Sequence, residues 1–252
     1  MSGSLSVIGL GPGNPRAVTP EAAAALEAAD ALYGYGPYLD RVAARAGQTR
    51  HASDNREEGA RAAAALRHAV QGAHVALVSG GDPGVFAMAA AVCEQIERGD
   101  ESWRRLDVAI VPGVTAMLAV AARVGAPLGH DFCAISLSDN LKPWDVIERR
   151  LDAAASAGFV TALYNPISRA RPWQLGKAFE RLLRHLPGAT PVVFGRAIGR
   201  PDERVIVAPL ETADASAADM ATLIIVGSAL TRVIERPGLA PLVYTPRSVE
   251  GA

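Results

Sequence analysis

The chain has few cysteines, little aromatic content and almost no net charge. Its two cysteines, Cys93 and Cys133, are too few for a disulfide framework or a four-cysteine metal site, and its five histidines show no metal-ligand spacing. A net charge of −1 over 252 residues gives no support for binding to nucleic acid or to an anionic membrane. We therefore expect a protein without a bound metal and without nucleic-acid or membrane partners.

Long apolar runs are also missing. No run approaches the roughly 18 residues that cross a membrane. The opening residues Met1–Ser4 lack the charged and apolar regions of a signal peptide. These absences favour a cytoplasmic location.

What the sequence does contain is an alternation of short apolar runs with alanine-rich segments. Half of its residues are apolar and a fifth are charged, as in soluble globular proteins with a sizeable core. Strand-like runs that alternate with helix-like segments are typical of an α/β fold. The break at Gly125–Gly129 predicts two α/β domains, 1–124 and 129–252, with a boundary near 125–128. The proline-spaced tail from Ala229 onward is predicted to lie along the surface or a partner subunit.

Three predicted strands of the first half each end in a turn of glycine and proline. These turns are Gly9–Gly13 (GLGPG), Ser79–Phe86 (SGGDPGVF) and Pro112–Ala116 (PGVTA). Because ligands of open α/β sheets lie at the carboxyl ends of strands, we expect the three turns to line one crevice. Bare backbone lets a ligand approach closely. Asp82 can hold a polar group such as a ribose hydroxyl, or it caps the following helix.

The first of these turns does not match a dinucleotide-binding fingerprint. Pro12 interrupts the glycine pattern and the later glycine is missing. The next helix begins only after Thr19, its predicted N-cap, so its backbone N–H groups are not aimed at a pyrophosphate. The turn suits a ligand that has no diphosphate.

Two groups of polar residues suit catalysis and anion binding. His51, Asp54 and Arg56 lie within six positions and suit proton transfer and carboxylate binding, although taken alone they are better explained as a solvated helix cap. Arginine pairs with carboxylates in a bidentate manner. Loop arginines of the second half that suit a ligand with several carboxylates are Arg169, Arg171, Arg196 and Arg200.

The turns occur together with further motifs that resemble the tetrapyrrole methylase family. ALYNP (Ala162–Pro166) and GRAIGRPDE (Gly195–Glu203) follow the three turns in the family's order. Longer strings resemble the members that methylate carbon-17 of the macrocycle: GYGPYLDR (Gly34–Arg41), HASDNREE (His51–Glu58), GHDFCAISLSDNLKPW (Gly129–Trp144) and NPISRARPWQL (Asn165–Leu175). The resemblance covers nearly the whole chain.

This resemblance implies two α/β domains with S-adenosylmethionine (SAM) in the cleft between them, and a homodimer. It implies transfer of the SAM methyl group to carbon-17 of a tetrapyrrole, with ring contraction at the carbon-20 bridge, in cobalamin biosynthesis. The residues it places at the cofactor are Pro12, Gly80, Gly81, Asp82, Val85, Thr115, Ala116, Tyr164, Asn165, Ala197 and Thr222.

The same resemblance leaves the acid/base groups open. Ring contraction requires a proton to be removed, and for this we predict His51 and Asp54 first, with His130 and Asp131 as the second candidates. Some members have an acidic residue just after the second strand, where this chain has Gly34, so no role is carried over from that acid. The predicted contacts to the substrate carboxylates are Arg56, Arg169, Arg171, Arg196 and Arg200.

Other functions stay open from the sequence. The acceptor is a metal-free or a cobalt-containing tetrapyrrole, and the lack of cysteines for an iron–sulfur domain favours the metal-free, oxygen-dependent route. Another precorrin carbon, diphthamide on a protein or an RNA ribose are alternative acceptors, although RNA would favour a broad basic face. A module that binds a tetrapyrrole without turnover is the non-enzymatic alternative.

Overall fold

The computed structural model describes residues 3–168 and 170–248. The chain divides into two compact units, Met1–Ala116 and Met117–Ala252. The division falls at the beginning of helix Ala116–Val124, whereas the sequence places the boundary just after this helix. The reason is packing: Val120 lies so close to Gly195 that a Cβ on that glycine would meet its side chain at 2.3 Å. Most of the helix therefore belongs to the second unit.

The first unit contains a parallel five-stranded sheet with strand order β3-β2-β4-β1-β5. Its strands are β1 (Ser4–Gly9), β2 (Ala31–Tyr35), β3 (Thr49–Ser53), β4 (His74–Ser79) and β5 (Asp107–Val111). Its helices are α1 (Pro20–Ala28), α2 (Gly36–Leu39), α3 (Glu58–Val70) and α4 (Met88–Arg98). The apolar side chains of β1 and β4 are buried, as expected for central strands covered by helices.

Strand β3 was not predicted, because its sequence looks like a loop. The segment TRHAS is polar and largely exposed, so it lacks the apolar alternation that marks a strand. It forms because β2 offers a free parallel edge, with Tyr33 opposite His51 in the register. His51 is therefore part of an edge strand, and not part of a helix cap.

The second unit contains a mixed five-stranded sheet with strand order β10-β9-β11-β8-β7. Its strands are β7 (Phe132–Ser136), β8 (Val160–Tyr164), β9 (Pro191–Arg196), β10 (Arg204–Pro209) and β11 (Thr222–Val226). Its helices are α5 (Ala116–Val124), α6 (Trp144–Ser156) and α7 (Gln174–Leu182). Only β7 and β8 pair in parallel, and the other neighbours are antiparallel. The predicted α/β fold class is confirmed.

The tail forms a sheet of its own, which the prediction that it lies along a surface or a partner subunit did not include. Strands β12 (Arg232–Arg236) and β13 (Leu239–Tyr244) form a hairpin that turns at Gly238, where φ is +72°. The short strand β6 (Gly125–Ala126) pairs with β13, more than a hundred positions away in sequence. Such a long-range pairing leaves no local signal. No helix in the described part of the chain is long and apolar enough to cross a membrane.

Candidate functional site

The three glycine turns of the first unit meet at the carboxyl ends of β1, β4 and β5. The N–H of Gly11 donates to the carbonyl of Gly81 at 3.1 Å, and the N–H of Gly81 donates back to Gly11 at 2.9 Å. The N–H of Gly113 donates to the Oδ2 atom of Asp82 at 3.0 Å. Hydrogen bonds thus join the second turn to the first and to the third, in agreement with the arrangement that a parallel sheet predicts.

Glycine is required here because the turns pack directly against one another. A Cβ on Gly9 would lie 2.7 Å from both the nitrogen of Gly113 and the oxygen of Gly81. A Cβ on Gly113 would lie 2.3 Å from the same oxygen. Backbone atoms cannot rotate away as a flexible side chain can. Sequence reasoning explained these glycines by the approach of a ligand, whereas the structure shows that contact between the turns already requires them.

Asp82 is held by two backbone donors. Its Oδ1 atom accepts the N–H of Gly84 at 2.8 Å, and its Oδ2 atom accepts the N–H of Gly113. Helix α4 has Ala87 at its N-cap, without a side-chain cap bond, so the alternative role of Asp82 as helix cap is wrong. A carboxylate offers about four lone-pair sites. The fixed carboxylate therefore retains acceptor capacity for hydroxyl groups such as those of a ribose.

The other predicted cofactor residues of the first unit lie in the same three turns. The N–H of Val85 donates to the carbonyl of Asp82 at 3.3 Å. Gly81 has φ +65°, and a Cβ there would meet Thr115 Cα at 3.7 Å and Ala116 N at 3.8 Å. Pro12 directly follows the bridged Gly11. These short turns, which contain one acid, fit a nucleoside that carries no diphosphate.

Tyr38 of α2 is part of this surface, although sequence reasoning did not select it. A Cβ on Gly80 would lie 2.7 Å from the Tyr38 ring, so the ring lies directly against the turn. Tyr35 packs edge-to-face on Tyr38, with ring centroids 5.5 Å apart. The available signal was the pair of tyrosines in GYGPY, directly after the second strand. The Tyr38 ring therefore lies beside Gly80, and the Tyr35 ring packs against Tyr38.

In the second unit, two predicted cofactor residues have a left-handed backbone. Asn165 has φ +51° and Ala197 has φ +49°. Ala197 is also buried. Residues other than glycine adopt this conformation rarely, and strain of this kind clusters at functional sites. Both residues directly follow strands, β8 and β9. This geometry favours a functional role for the two loops.

The other two predicted cofactor residues of this unit use their hydroxyl groups locally. The Tyr164 hydroxyl accepts the N–H of Met117 at 3.2 Å. The Thr222 hydroxyl donates to Asp219 Oδ1 at 2.8 Å and accepts the N–H of Asp219 at 2.9 Å. Thr222 is also buried. These bonds show that both residues have a structural role within the unit.

His51 lies in a cluster of rings and has no hydrogen bond to Asp54 among those of the described residues. Its ring stacks on Tyr33, with centroids 4.3 Å apart, and lies edge-to-face with His68 at 5.8 Å. Its Nε2 atom hydrogen-bonds with Thr49 at 3.2 Å. Burial and the neighbouring His68 lower the pKa of His51 below 6.5. Both effects favour the neutral form of the imidazole.

The polar loop after β3 is anchored by a buried arginine. Arg61 of α3 donates to the Ser53 hydroxyl and to the Asp54 carbonyl, both at 2.6 Å. The Asp54 carboxylate is exposed and accepts the N–H of Asn55 at 2.7 Å. Arg56 is exposed and has φ +73°. The loop therefore presents Asp54 and Arg56 to solvent.

The second candidate acid/base pair lies in the loop before β7. The N–H of Asp131 donates to the Nδ1 atom of His130 at 2.7 Å. The same Nδ1 atom is 3.6 Å from the carboxylate of Asp131, whose side chain is 80% exposed. The two residues are close together, at the surface of the second unit.

Two of the predicted substrate arginines are already paired with acids. Arg171 forms an ion pair with Asp139. Arg196 donates to Asp219 at 2.8 Å and to Asp202 at 2.7 Å, and its hydrogen bond lowers the pKa of Asp202. The sequence predicts arginines that are available to a ligand, and the structure instead gives these two acidic partners within the fold.

Arg200 and Arg169 are the other predicted substrate arginines of the second unit. Arg200 is exposed in the loop after β9. Arg169 lies outside the described residues. No group of three His, Cys, Asp or Glu residues in the ranges 3–168 and 170–248 is arranged to hold a metal ion.

A family model, related protein sequences and a solved structure agree on which proteins this chain resembles. Residues 4–214 match the family model of the tetrapyrrole (corrin/porphyrin) methylases. The chain is 65% identical over 252 residues to a Sinorhizobium protein named precorrin-3B C(17)-methyltransferase, covering 100% of this chain and 99% of the relative. It is 41% identical over 244 residues to a Salmonella typhimurium protein named probable cobalt-factor III C(17)-methyltransferase, covering 96% of this chain and 99% of the relative. The crystal structure of the methyltransferase CobJ superposes with a TM-score of 0.93 at 47% identity, covering 97% of this chain and 100% of that one.

Proposed function

The chain belongs to the tetrapyrrole methylase family, and we propose that it is the enzyme that methylates carbon-17 of precorrin-3B and contracts the ring to give precorrin-4 in cobalamin biosynthesis. The observation that carries the proposal is the end-to-end alignment with a precorrin-3B C(17)-methyltransferase at 65% identity. The joined glycine turns around Asp82 support it, because they fit a nucleoside without phosphates.

Tetrapyrrole methylases use SAM, and the first unit has the groups to hold it. Asp82 would accept hydrogen bonds from the ribose, while the backbone of Gly80 and Gly81 would lie against the nucleoside. Thr115 and Ala116 lie beside Gly81. When bound, the cofactor supplies an already activated methyl group, so the protein's main contribution is to position it against the acceptor carbon. The demethylated co-product is S-adenosylhomocysteine.

Pro12 and Val85 complete the proposed cofactor contacts of the first unit. In the second unit, the proposed cofactor contacts are Tyr164, Asn165, Ala197 and Thr222. For the last of these, the Thr222 hydroxyl is already used by Asp219, so a contact would come from its other atoms or its backbone.

Proton transfer during ring contraction is the step in which side chains take a direct part. The lowered pKa of His51 favours a neutral imidazole, which can accept a proton. Asp54 has an exposed carboxylate that can do the same. We propose these two as acid/base candidates, with His130 and Asp131 as the second pair. His51→Ala should keep its affinity for S-adenosylhomocysteine and slow ring contraction, whereas wild-type turnover would exclude the role.

The substrate carboxylates require cationic partners, and Arg56 and Arg200 are the exposed candidates. Arg171 and Arg196 are already paired with acids, so we propose that the substrate carboxylates share these two arginines with their acidic partners. Arg169 is also proposed as a contact to the substrate carboxylates.

Sequence identity favours the metal-free acceptor over a cobalt complex. The chain is 65% identical to the relative named for precorrin-3B and 41% identical to the one named for cobalt-factor III. Purified protein should be incubated with SAM and each acceptor in turn, and the products analysed by mass spectrometry. We expect a methylated, ring-contracted product from precorrin-3B. Turnover of cobalt-factor III alone would assign the chain to the cobalt route. A homodimer and a cytoplasmic location stay predictions.

A further inference from the structure

Arg41, the last residue of the motif GYGPYLDR, contacts the first glycine turn. One nitrogen of its guanidinium group donates to the carbonyl of Leu10 at 2.6 Å and to the carbonyl of Gly11 at 2.9 Å. Leu10 and Gly11 are buried, and Arg41 is partly buried. Arginine keeps its charge in proteins, and hydrogen bonds from a charged donor are stronger than neutral ones. The chain that follows β1 is therefore held by a permanently charged donor.

The carbonyl oxygen of Gly11 is the point at which Arg41 meets the second turn. The same oxygen accepts the N–H of Gly81 at 2.9 Å, and the carbonyl of Gly81 accepts the N–H of Gly11 at 3.1 Å. A carbonyl oxygen has two lone pairs. Arg41 and Gly81 are thus its two donors in these contacts. Because Gly81 directly precedes Asp82, this bridge would pass a shift of Gly11 on to the Asp82 carboxylate.

The short segment that carries Arg41 contacts the second turn as well. The N–H of Arg41 donates to the carbonyl of Tyr38 at 3.1 Å, and the Tyr38 ring lies directly against Gly80. One segment therefore contacts both of the bridged turns. The segment is anchored to the rest of the unit by Arg45, which donates to the carbonyl of Ala29 at 2.6 Å.

We propose that Arg41 is a positioning residue of the cofactor site; this inference rests on the proposed function. Its guanidinium group fixes the first turn, so that the bridge between Gly11 and Gly81 holds Asp82 where the ribose hydroxyls would bind. A binding group is effective only when its supporting contacts hold it within about 0.5 Å of the productive geometry. Arg41 supplies such support and acts on the cofactor through the turns.

The test is a calorimetric titration of S-adenosylhomocysteine into the wild type, Arg41→Met and Arg45→Met. Arg45→Met is the matched control, because Arg45 also donates to a main-chain carbonyl and lines the same surface cavity of about 410 Å³. Its partner Ala29 lies at the end of α1, and not in one of the turns. We expect Arg41→Met to lose about tenfold in affinity, as for the loss of a hydrogen bond from a charged group. Arg45→Met should stay within about twofold of the wild type.

Arg41→Lys adds a conservative variant to the comparison. It keeps the charge on a shorter side chain that lacks the planar guanidinium group, so we expect a smaller loss of about threefold. It also replaces Arg41→Met as the test variant if circular dichroism shows that Arg41→Met does not fold.

Three results would overturn the inference while the proposed function stands. Wild-type affinity in every folded Arg41 variant would show that the turns hold the cofactor without the guanidinium group. An equal loss in Arg45→Met would show that any loosening of the segment suffices. A loss in Arg41→Lys as large as that in Arg41→Met would exclude the charged donor as the cause. A wild-type protein that does not bind S-adenosylhomocysteine would instead refute the proposed function, and the inference with it.

Discussion

The contact between the three glycine turns makes Gly9→Ala the most informative single substitution. The added methyl group would lie 2.7 Å from Gly113 N and from Gly81 O, and 2.8 Å from Gly113 Cα. All of these are backbone atoms, so the turns themselves must move apart. Overpacking of this kind costs about 1–3 kcal/mol in well-packed regions. We expect a loss of that size in the free energy of unfolding, measured by urea denaturation, together with weaker binding of S-adenosylhomocysteine in calorimetry.

Gly36→Ala is the matched control for this substitution. A Cβ at Gly36 meets nothing within 4 Å, and the residue lies in α2 with an ordinary backbone. Alanine at such a position should be neutral or stabilise the protein by about 0.4–1 kcal/mol. If Gly9→Ala were as stable as Gly36→Ala and bound the ligand as well as the wild type, the contact between the turns would not be what requires glycine.

Three further predictions follow from the site. Asp82→Ala should weaken SAM binding by about 1–3 kcal/mol in calorimetry, because a charged acceptor is lost, and unchanged affinity would remove Asp82 from the cofactor site. His51 has a folded-state pKa below its unfolded value of 6.5, so its contribution to stability is present above pH 6.5 and is lost as the pH falls through 6.5 towards the lowered pKa. His51→Gln should therefore reduce the acid sensitivity of urea denaturation, and an identical pH profile would contradict this. Arg171→Met should destabilise the second unit by about 1–3 kcal/mol, because the partly buried Asp139 loses its cationic partner and keeps the hydrogen bond from Gln174, and an unchanged unfolding curve would show that the pair contributes nothing.

The sequence predicted those parts of the fold that depend on local patterns. The apolar runs of β1 and β4 identify central strands, and the glycine turns after them were expected at one edge of a parallel sheet. Thr19 was expected to cap α1, and its hydroxyl does accept the N–H of Ala22 at 3.1 Å. These features follow from hydrophobic periodicity and turn chemistry, which are both visible within a short window of sequence.

The parts that were missed depend on partners far away in the chain. Strand β3 exists only through pairing with β2, and β6 only through pairing with β13. The acid that neutralises Arg171 lies 32 positions away, at Asp139. Likewise, the sequence shows that Gly80 follows a strand, but not that Tyr38 packs against it. Such contacts are decided by the tertiary structure, which a single sequence does not display.

The activity that we propose for this chain is the methylation of carbon-17 of precorrin-3B. The most direct test is to incubate the purified protein with precorrin-3B and SAM labelled with ¹³C in its methyl group, and to locate the label in the product by NMR. We expect the label to be attached to carbon-17 of a ring-contracted tetrapyrrole. A label on any other carbon would contradict the proposed activity, and so would the recovery of unmodified precorrin-3B in the presence of intact SAM.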